Sequence, residues 1–140
     1  MQWRIDIPRG TPLLTANQRL HHFERAKRTK NLRETTCWLA RHQGIPPLGQ
    51  VYLVGEYVAP DKRRRDPNNW QPTAKACCDG IVDANVVIDD DHEHVTGPDM
   101  RLTFADRPGD GNRGGQFRLY VYELSEQLVA AVRESLSRPA

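Results

Sequence analysis

The sequence predicts an α+β (mixed α/β) domain: a mixed sheet with flanking helices. Three observations lead there. Segments of strand length, rich in Val, Tyr and Ile, occur around residues 2–8, 50–59 and 116–124. Longer segments of helical character, 18–42 and 70–84, lie among them, the second with its apolar residues at helical spacing. The chain has 140 residues, which suits one domain over residues 1–140 with one core, and no internal repeat divides it.

The elements follow in order. Residues 2–8 alternate as a half-buried strand does and end at Pro8-Arg9-Gly10. A loop over 11–16 leads to a helix over 18–42 that contains Leu20, Phe23, Leu32, Trp38 and Leu39. Gly44 stops it, with Pro46-Pro47 beyond. A strand over 50–59 runs into a basic loop, 60–69. The next helix spans 70–84, capped by Asn68 or Asn69, with Pro72 tolerated in its first turn. Trp70, Ala74, Cys77, Cys78, Ile81 and Val82 form its apolar stripe. Lys75, Asp79 and Asp83 form a separate charged edge, with Lys75 free to point back toward the helix N-terminus. Val86-Val87-Ile88 is an apolar run read as a strand returning toward the start of that helix. It ends in Asp89-Asp90-Asp91. A strand within 94–104 is interrupted at Gly97-Pro98, and a flexible Gly-rich loop occupies 106–115. Ser125 caps a last helix with Leu128, Val129 and Val132, and residues 137–140 fray.

Composition narrows the class. Hydrophobic residues make up 38% and charged residues 27%, as in a soluble globular protein. No apolar run approaches the ~20 residues of a membrane span. The N-terminus lacks an apolar export segment, so the cytoplasm is the expected compartment. Net charge is only +2, but the charges are segregated. Basic residues crowd into 19–33 and 62–65, acidic residues into 79–93. Such a pattern suits a positive binding surface around a negative hole. Cys37, Cys77 and Cys78 form no CxxC pair and no disulfide framework; they read as small buried residues.

The chemistry concentrates in Arg63-Arg64-Arg65-Asp66-Pro67-Asn68-Asn69, Lys75, Asp79 and Asp89-Asp90-Asp91. Carboxylates hold hard cations such as Mg²⁺, and arginines and lysines hold phosphates. A site that joins both suits phosphodiester cleavage. Taken singly, each part has a plainer use. Asp-Pro-Asn-Asn is an ordinary turn, and charge runs usually face solvent.

Together and in this order, these residues resemble the core of the RusA-type Holliday-junction resolvases. That family carries a basic run, Asp-x-Asp-Asn, a helical Lys, an Asp four residues later and an Asp-Asp pair after a short apolar segment. The close match covers residues 60–95, and Pro12, Asn17 and the basic segment up to Arg33 fit more loosely. The resemblance implies a RusA-like fold and a homodimeric, Mg²⁺-dependent endonuclease that resolves four-way DNA junctions by paired nicks, with Mn²⁺ as a substitute ion. It implies Asp66, Asp90 and Lys75 as catalytic residues. It implies Asp66, position 68 and Asp90 as metal positions, with Asp89 beside them, and Asn69, the family's Asn, as a DNA-binding residue. This chain departs from the family pattern twice. Gln71-Pro72-Thr73 is extra, and position 68 is Asn68, whose amide oxygen can ligate Mg²⁺ but brings no charge. The alternative reading is therefore a protein that binds DNA junctions with weakened or lost catalysis. A small interaction protein with a charged loop is a third.

Further candidates stay open. Arg63, Arg64 and Arg65, with Arg25, Lys27, Arg28 and Lys30 on the first helix, read as phosphate contacts or as solvated charge. Lys75 either stabilises transition-state charge or pairs with Asp79. Asn17 either bonds a phosphate or caps the helix. His92 and His94 are too close together for ordinary zinc spacing. Trp70 serves core packing or base stacking. The loop over 107–113 either covers DNA or is a plain connection.

Overall fold

A computed structural model describes residues 1–105 and 115–137. The elements are β1 (Gln2–Asp6), α1 (His22–Gln43), β2 (Val51–Ala59), a 3-10 turn (Pro67–Trp70), α2 (Gln71–Asp83), β3 (Val95–Phe104), β4 (Gln116–Glu123) and α3 (Glu126–Ser137). This is the expected α+β architecture. The four strands form one mixed sheet in the order β1-β4-β2-β3. Strand β4 pairs antiparallel with both β1 and β2, while β2 and β3 are parallel. Parallel neighbours need a crossover connection, and here the 3-10 turn and α2 supply it. The candidate site lies on that crossover.

Strand periodicity decides which side chains enter the core. Val51, Leu53, Tyr57 and Ala59 of β2 are buried, as are Phe117, Leu119 and Val121 of β4. Helix α2 buries Ala74, Cys77, Cys78 and Ile81, and α1 buries Leu32, Thr36 and Ala40. Gly80 lets these two helices approach closely. A Cβ there would lie 2.5 Å from the Arg33 carbonyl oxygen and 2.8 Å from Thr36 Cβ. The expected stop of α1 is also seen: Gly44 takes φ 72°, and its N–H donates to the last-turn carbonyls of Ala40 and Arg41. Ser125 caps α3 through Oγ, which accepts from Leu128 N at 3.1 Å. Among the described residues no helix is long and apolar enough to cross a membrane.

The structure departs from the sequence reading in several places. Helix α1 begins at His22, and its cap is His21, whose Nδ1 accepts from Phe23 N; Asn17 is not the cap. The preceding loop is held elsewhere. Leu14 exchanges two hydrogen bonds with Thr73 Oγ1, at 2.8 and 2.7 Å, and Ala16 N donates to Asn69 O at 2.8 Å. Neither Asn68 nor Asn69 caps α2. Asp66 caps the 3-10 turn instead, and α2 starts without a side-chain cap. Residues 86–88 form no strand; the return after α2 is irregular until Val95, with Val86 and Val87 buried and Ile88 exposed. Pro98 does not interrupt β3. It lies on an edge strand, where a missing N–H is tolerated, and a register shift opposite Tyr52 and Val54 absorbs the irregularity. The expectations for the Gly-rich segment 106–114, for residues 138–140 and for the Val132 side chain lie outside the described residues.

Candidate active site at the entry to the second helix

The first half of the site is a cleft of about 520 Å³ where the basic loop turns into the crossover. Arg64, Arg65, Asp66, Asn68, Asn69 and Asn17 all line it. Local chemistry explains the shape. Asp66 Oδ1 accepts from Asn68 N at 3.0 Å, and Pro67 occupies the first turn, where no amide hydrogen is needed. Asn69 N donates to Asp66 O at 3.0 Å, closing the turn. The side chains of Asp66 and Asn68 are thereby set at one mouth, and both residues are exposed. Trp70 closes the back of the cleft. It is buried and stacks on Tyr57, with centroids 3.9 Å apart and planes 14° from parallel. Core packing, not base stacking, is the use the structure assigns to Trp70.

The arginines divide. Arg65 is folded back on its own loop, with Nη1 donating to Asp61 O and Arg63 O and Nη2 to Asp61 Oδ1 at 2.8 Å. It shapes the loop. Arg63 and Arg64 are exposed, and Arg63 has only a loose contact with Asp61, at 3.8 Å. The Arg63 amide and the Arg65 guanidinium hold the Asp61 carboxyl below the usual carboxylate range.

The second half lies on α2, about a turn and a half beyond Trp70. Lys75 Nζ donates to Asp79 Oδ1 at 3.0 Å and forms an ion pair with Asp90. Lys75 thus reaches forward to the acidic turn, not back toward the basic loop as its place on the charged edge suggested. The carboxylates decide the direction, because Asp90 is the nearest strong acceptor that the return segment supplies. The hydrogen bond to Asp90, reinforced by Asp79, raises the Lys75 pKa, so its ammonium stays charged at any physiological pH. The Lys75 hydrogen bond and charge lower the Asp90 pKa.

The acidic turn is organised by its own side chains. Asp89 Oδ1 accepts from Asp90 N at 2.7 Å. Asp91 Oδ1 accepts from Glu93 N and His94 N, and His94 Nδ1 lies 2.5 Å from it. That histidine contact lowers the Asp91 pKa. His94 therefore serves an Asx-type turn; His92 is exposed. The first-helix cations differ as well. Arg28 pairs with Glu24 at 2.9 Å and donates to Leu13 O, so it anchors the loop. Arg25 is half-buried, while Lys27 and Lys30 are exposed.

Lys75, Asp79 and Asp90 are thus gathered, and Asp66, Asn68, Asn69, Asn17 and Arg64 are gathered, in two separate groups along one crossover. No hydrogen bond or ion pair joins Asp66 to Asp90 among the described residues, and none of these residues forms a group of three or more metal-binding side chains. Sequence reasoning missed Thr73, which ties loop 11–20 against the cleft. A lone Thr in an apolar stripe carried the only signal, since a buried hydroxyl needs a partner. No protein-family model matches the chain, and no curated protein matches it.

Proposed function

We propose that this protein is a divalent-metal-dependent DNA endonuclease that acts on branched DNA, four-way junctions above all, by paired nicks. The observation that supports this best is the ion pairing of Lys75 with Asp90 and Asp79 on the same crossover that carries the cleft of Asp66, Asn68 and Arg64. The donors are all oxygens, and Asp90 is held ionised by Lys75, which fits a hard cation. In this reading Asp66 and Asp90 would hold Mg²⁺ or Mn²⁺, assisted by Asn68 and Asp89. The bound ion would polarise the phosphoryl group and activate water.

The chain's own residues do the rest. Lys75, an ammonium paired with two carboxylates, serves as a charge and not as a base in this reading. It acts as a fixed positive charge against the charge that builds on the phosphate. Asp79 retains the ammonium when a phosphate competes with Asp90 for it. Arg63, Arg64 and Lys27 with Lys30 hold the DNA backbone, and Asn69 keeps the mouth of the cleft in shape. Two symmetric nicks require two sites, so the working form is a two-fold homodimer.

A second reading rests on Asn68. An uncharged amide at that mouth leaves a weaker cation site, so the protein would bind junctions and cut them poorly. Nicking of synthetic four-way junctions in Mg²⁺ and in Mn²⁺ separates the readings. Cutting in both ions, lost in Asp66→Asn and Asp90→Asn, supports the nuclease. Junction binding without cutting, restored by Asn68→Asp, supports the second. If neither ion is taken up and no strand is broken even by the Asn68→Asp protein, the nuclease reading falls.

A further inference from the structure

Helix α1 has two unlike faces. Toward the interior it buries Leu32, Thr36 and Ala40. On the other side Phe23, Lys27, Lys30, Glu34, Trp38 and Arg41 follow one another at intervals of three or four, and all six are exposed. That spacing makes them one stripe along the helix. Trp38 is 61% exposed and Phe23 71%. Large rings ordinarily sit in cores, and these two stay in water as single rings on a stripe that also carries cations. They stand about 22 Å apart along the axis.

The Trp38 ring already lies on His42, with centroids 4.8 Å apart and planes 8° from parallel. This stack holds the indole in one orientation while most of its surface stays open. Between the two rings stand Lys27 and Lys30, and beyond Trp38 stands Arg41, whose guanidinium also donates to Asp83 O at 2.9 Å. On the stripe Lys27, Lys30 and Arg41 face one acid, Glu34, which Lys30 approaches only to 3.9 Å with both side chains open to solvent. The stripe therefore combines an open flat ring with net positive charge.

We infer that this outward stripe of α1 binds single-stranded nucleic acid, with an unpaired base stacked on Trp38 and phosphates along Lys27 and Lys30. Aromatic platforms beside cations are how proteins hold such strands without reading sequence. A duplex keeps its base faces covered, so an open indole has nothing to stack on there. A membrane surface is disfavoured because Lys27, Lys30 and Glu34 occupy the middle of the stripe, where an interfacial helix needs apolar width. The inference rests on the proposed action on DNA for its natural substrate, since branched DNA offers unpaired bases, but it uses none of the carboxylates.

The test is binding of the full-length protein to a dye-labelled oligothymidylate, by fluorescence anisotropy in EDTA, which removes any dependence on cleavage. Trp38→Ala should weaken binding about tenfold, and Trp38→Phe should keep most of it, as loss of one base stack implies. Lys27→Ala with Lys30→Ala should flatten the salt dependence by about one to two phosphate contacts. Because these side chains lie outside the core, circular dichroism and the unfolding midpoint should stay unchanged. Unaltered affinity in Trp38→Ala overturns the inference. So does an equal loss toward duplex DNA, or binding of anionic phosphatidylserine vesicles in preference to the oligonucleotide. Failure of junction nicking alongside a Trp38-dependent single-strand affinity sinks only the nuclease reading.

Discussion

Lys75 and Asp90 form an ion pair across fifteen residues of chain, joining the second turn of α2 to the acidic turn that follows it. Asp79, one turn along the same helix, holds the same ammonium at 3.0 Å. One cation therefore ties Asp90, which an irregular return segment brings to α2, to Asp79 on the helix itself. Under the nuclease reading Lys75→Ala should cut junction nicking about 10²- to 10³-fold, the usual cost of removing one preorganised donor. The fold should survive, since Lys75 is exposed. Steady-state nicking rates beside junction affinity check this. A variant that binds and cuts like the parent would leave Lys75 with a structural role only.

The same pair has a pH signature. Asp90 has a lowered pKa in the folded protein, so its contribution is present above the unfolded value of about 3.9 and is lost as pH falls through the folded one. Lys75 has a raised pKa, so its contribution is present below about 10.4 and is lost as pH rises through the folded one. The stability difference between the parent and Asp90→Asn should thus be flat from about pH 5 to pH 10 and shrink outside that window. Both side chains are more than a third exposed or close to it, so the size is only a few tenths of a kcal/mol. Urea unfolding across pH measures it. A difference that grows in acid contradicts the pairing.

Gly80→Ala should destabilise the fold by about 1–3 kcal/mol. The new methyl would press on the Arg33 carbonyl and Thr36, and backbone cannot move aside as a flexible side-chain tip can. Better helix propensity offsets no more than about 1 kcal/mol of this. A lower urea midpoint is expected. A higher one means that α1 and α2 stand farther apart than described.

Thiol chemistry should divide the cysteines. Burial pushes Cys77 up to about 12 and Cys78 up to about 11, and only thiolates react readily. At pH 8 the native protein should label at Cys37, which is half-buried, while Cys77 and Cys78 label only after unfolding. Fast native labelling of Cys77 or Cys78, located by peptide mass, would contradict the packing of α2.

Much of this molecule was legible beforehand. Strong periodicity marked β1, β2, β4 and α2, because a strand alternates and a helix repeats whatever lies around it, while Gly44 and Pro46-Pro47 marked the end of α1. The Cys77-Cys78 stripe and the buried Trp70 followed from the same rule. Errors clustered where local signals are weak. Residues 86–88 are apolar enough for a strand, yet no described strand pairs with them; Val86 and Val87 serve as buried filler in a turn while Ile88 is exposed. Asn68 and Asn69 are good caps, but both lie inside the 3-10 turn that Asp66 caps, and α2 starts without a side-chain cap.

The sequence alone determined which residue types were present for phosphate and cation chemistry, and the alternation that makes a mixed sheet with helices against it. It offered Asp79 as a partner for Lys75, which the structure shows, but not Asp90. Two of the three carboxylates in the acidic turn face other work, Asp89 on the Asp90 amide and Asp91 on His94, and only folding leaves Asp90 for the lysine. Nor could it tell which side of α1 faces water, where Phe23 and Trp38 stand out of the core. Both outcomes depend on contacts between segments far apart in the chain, and a one-dimensional pattern holds no record of those distances.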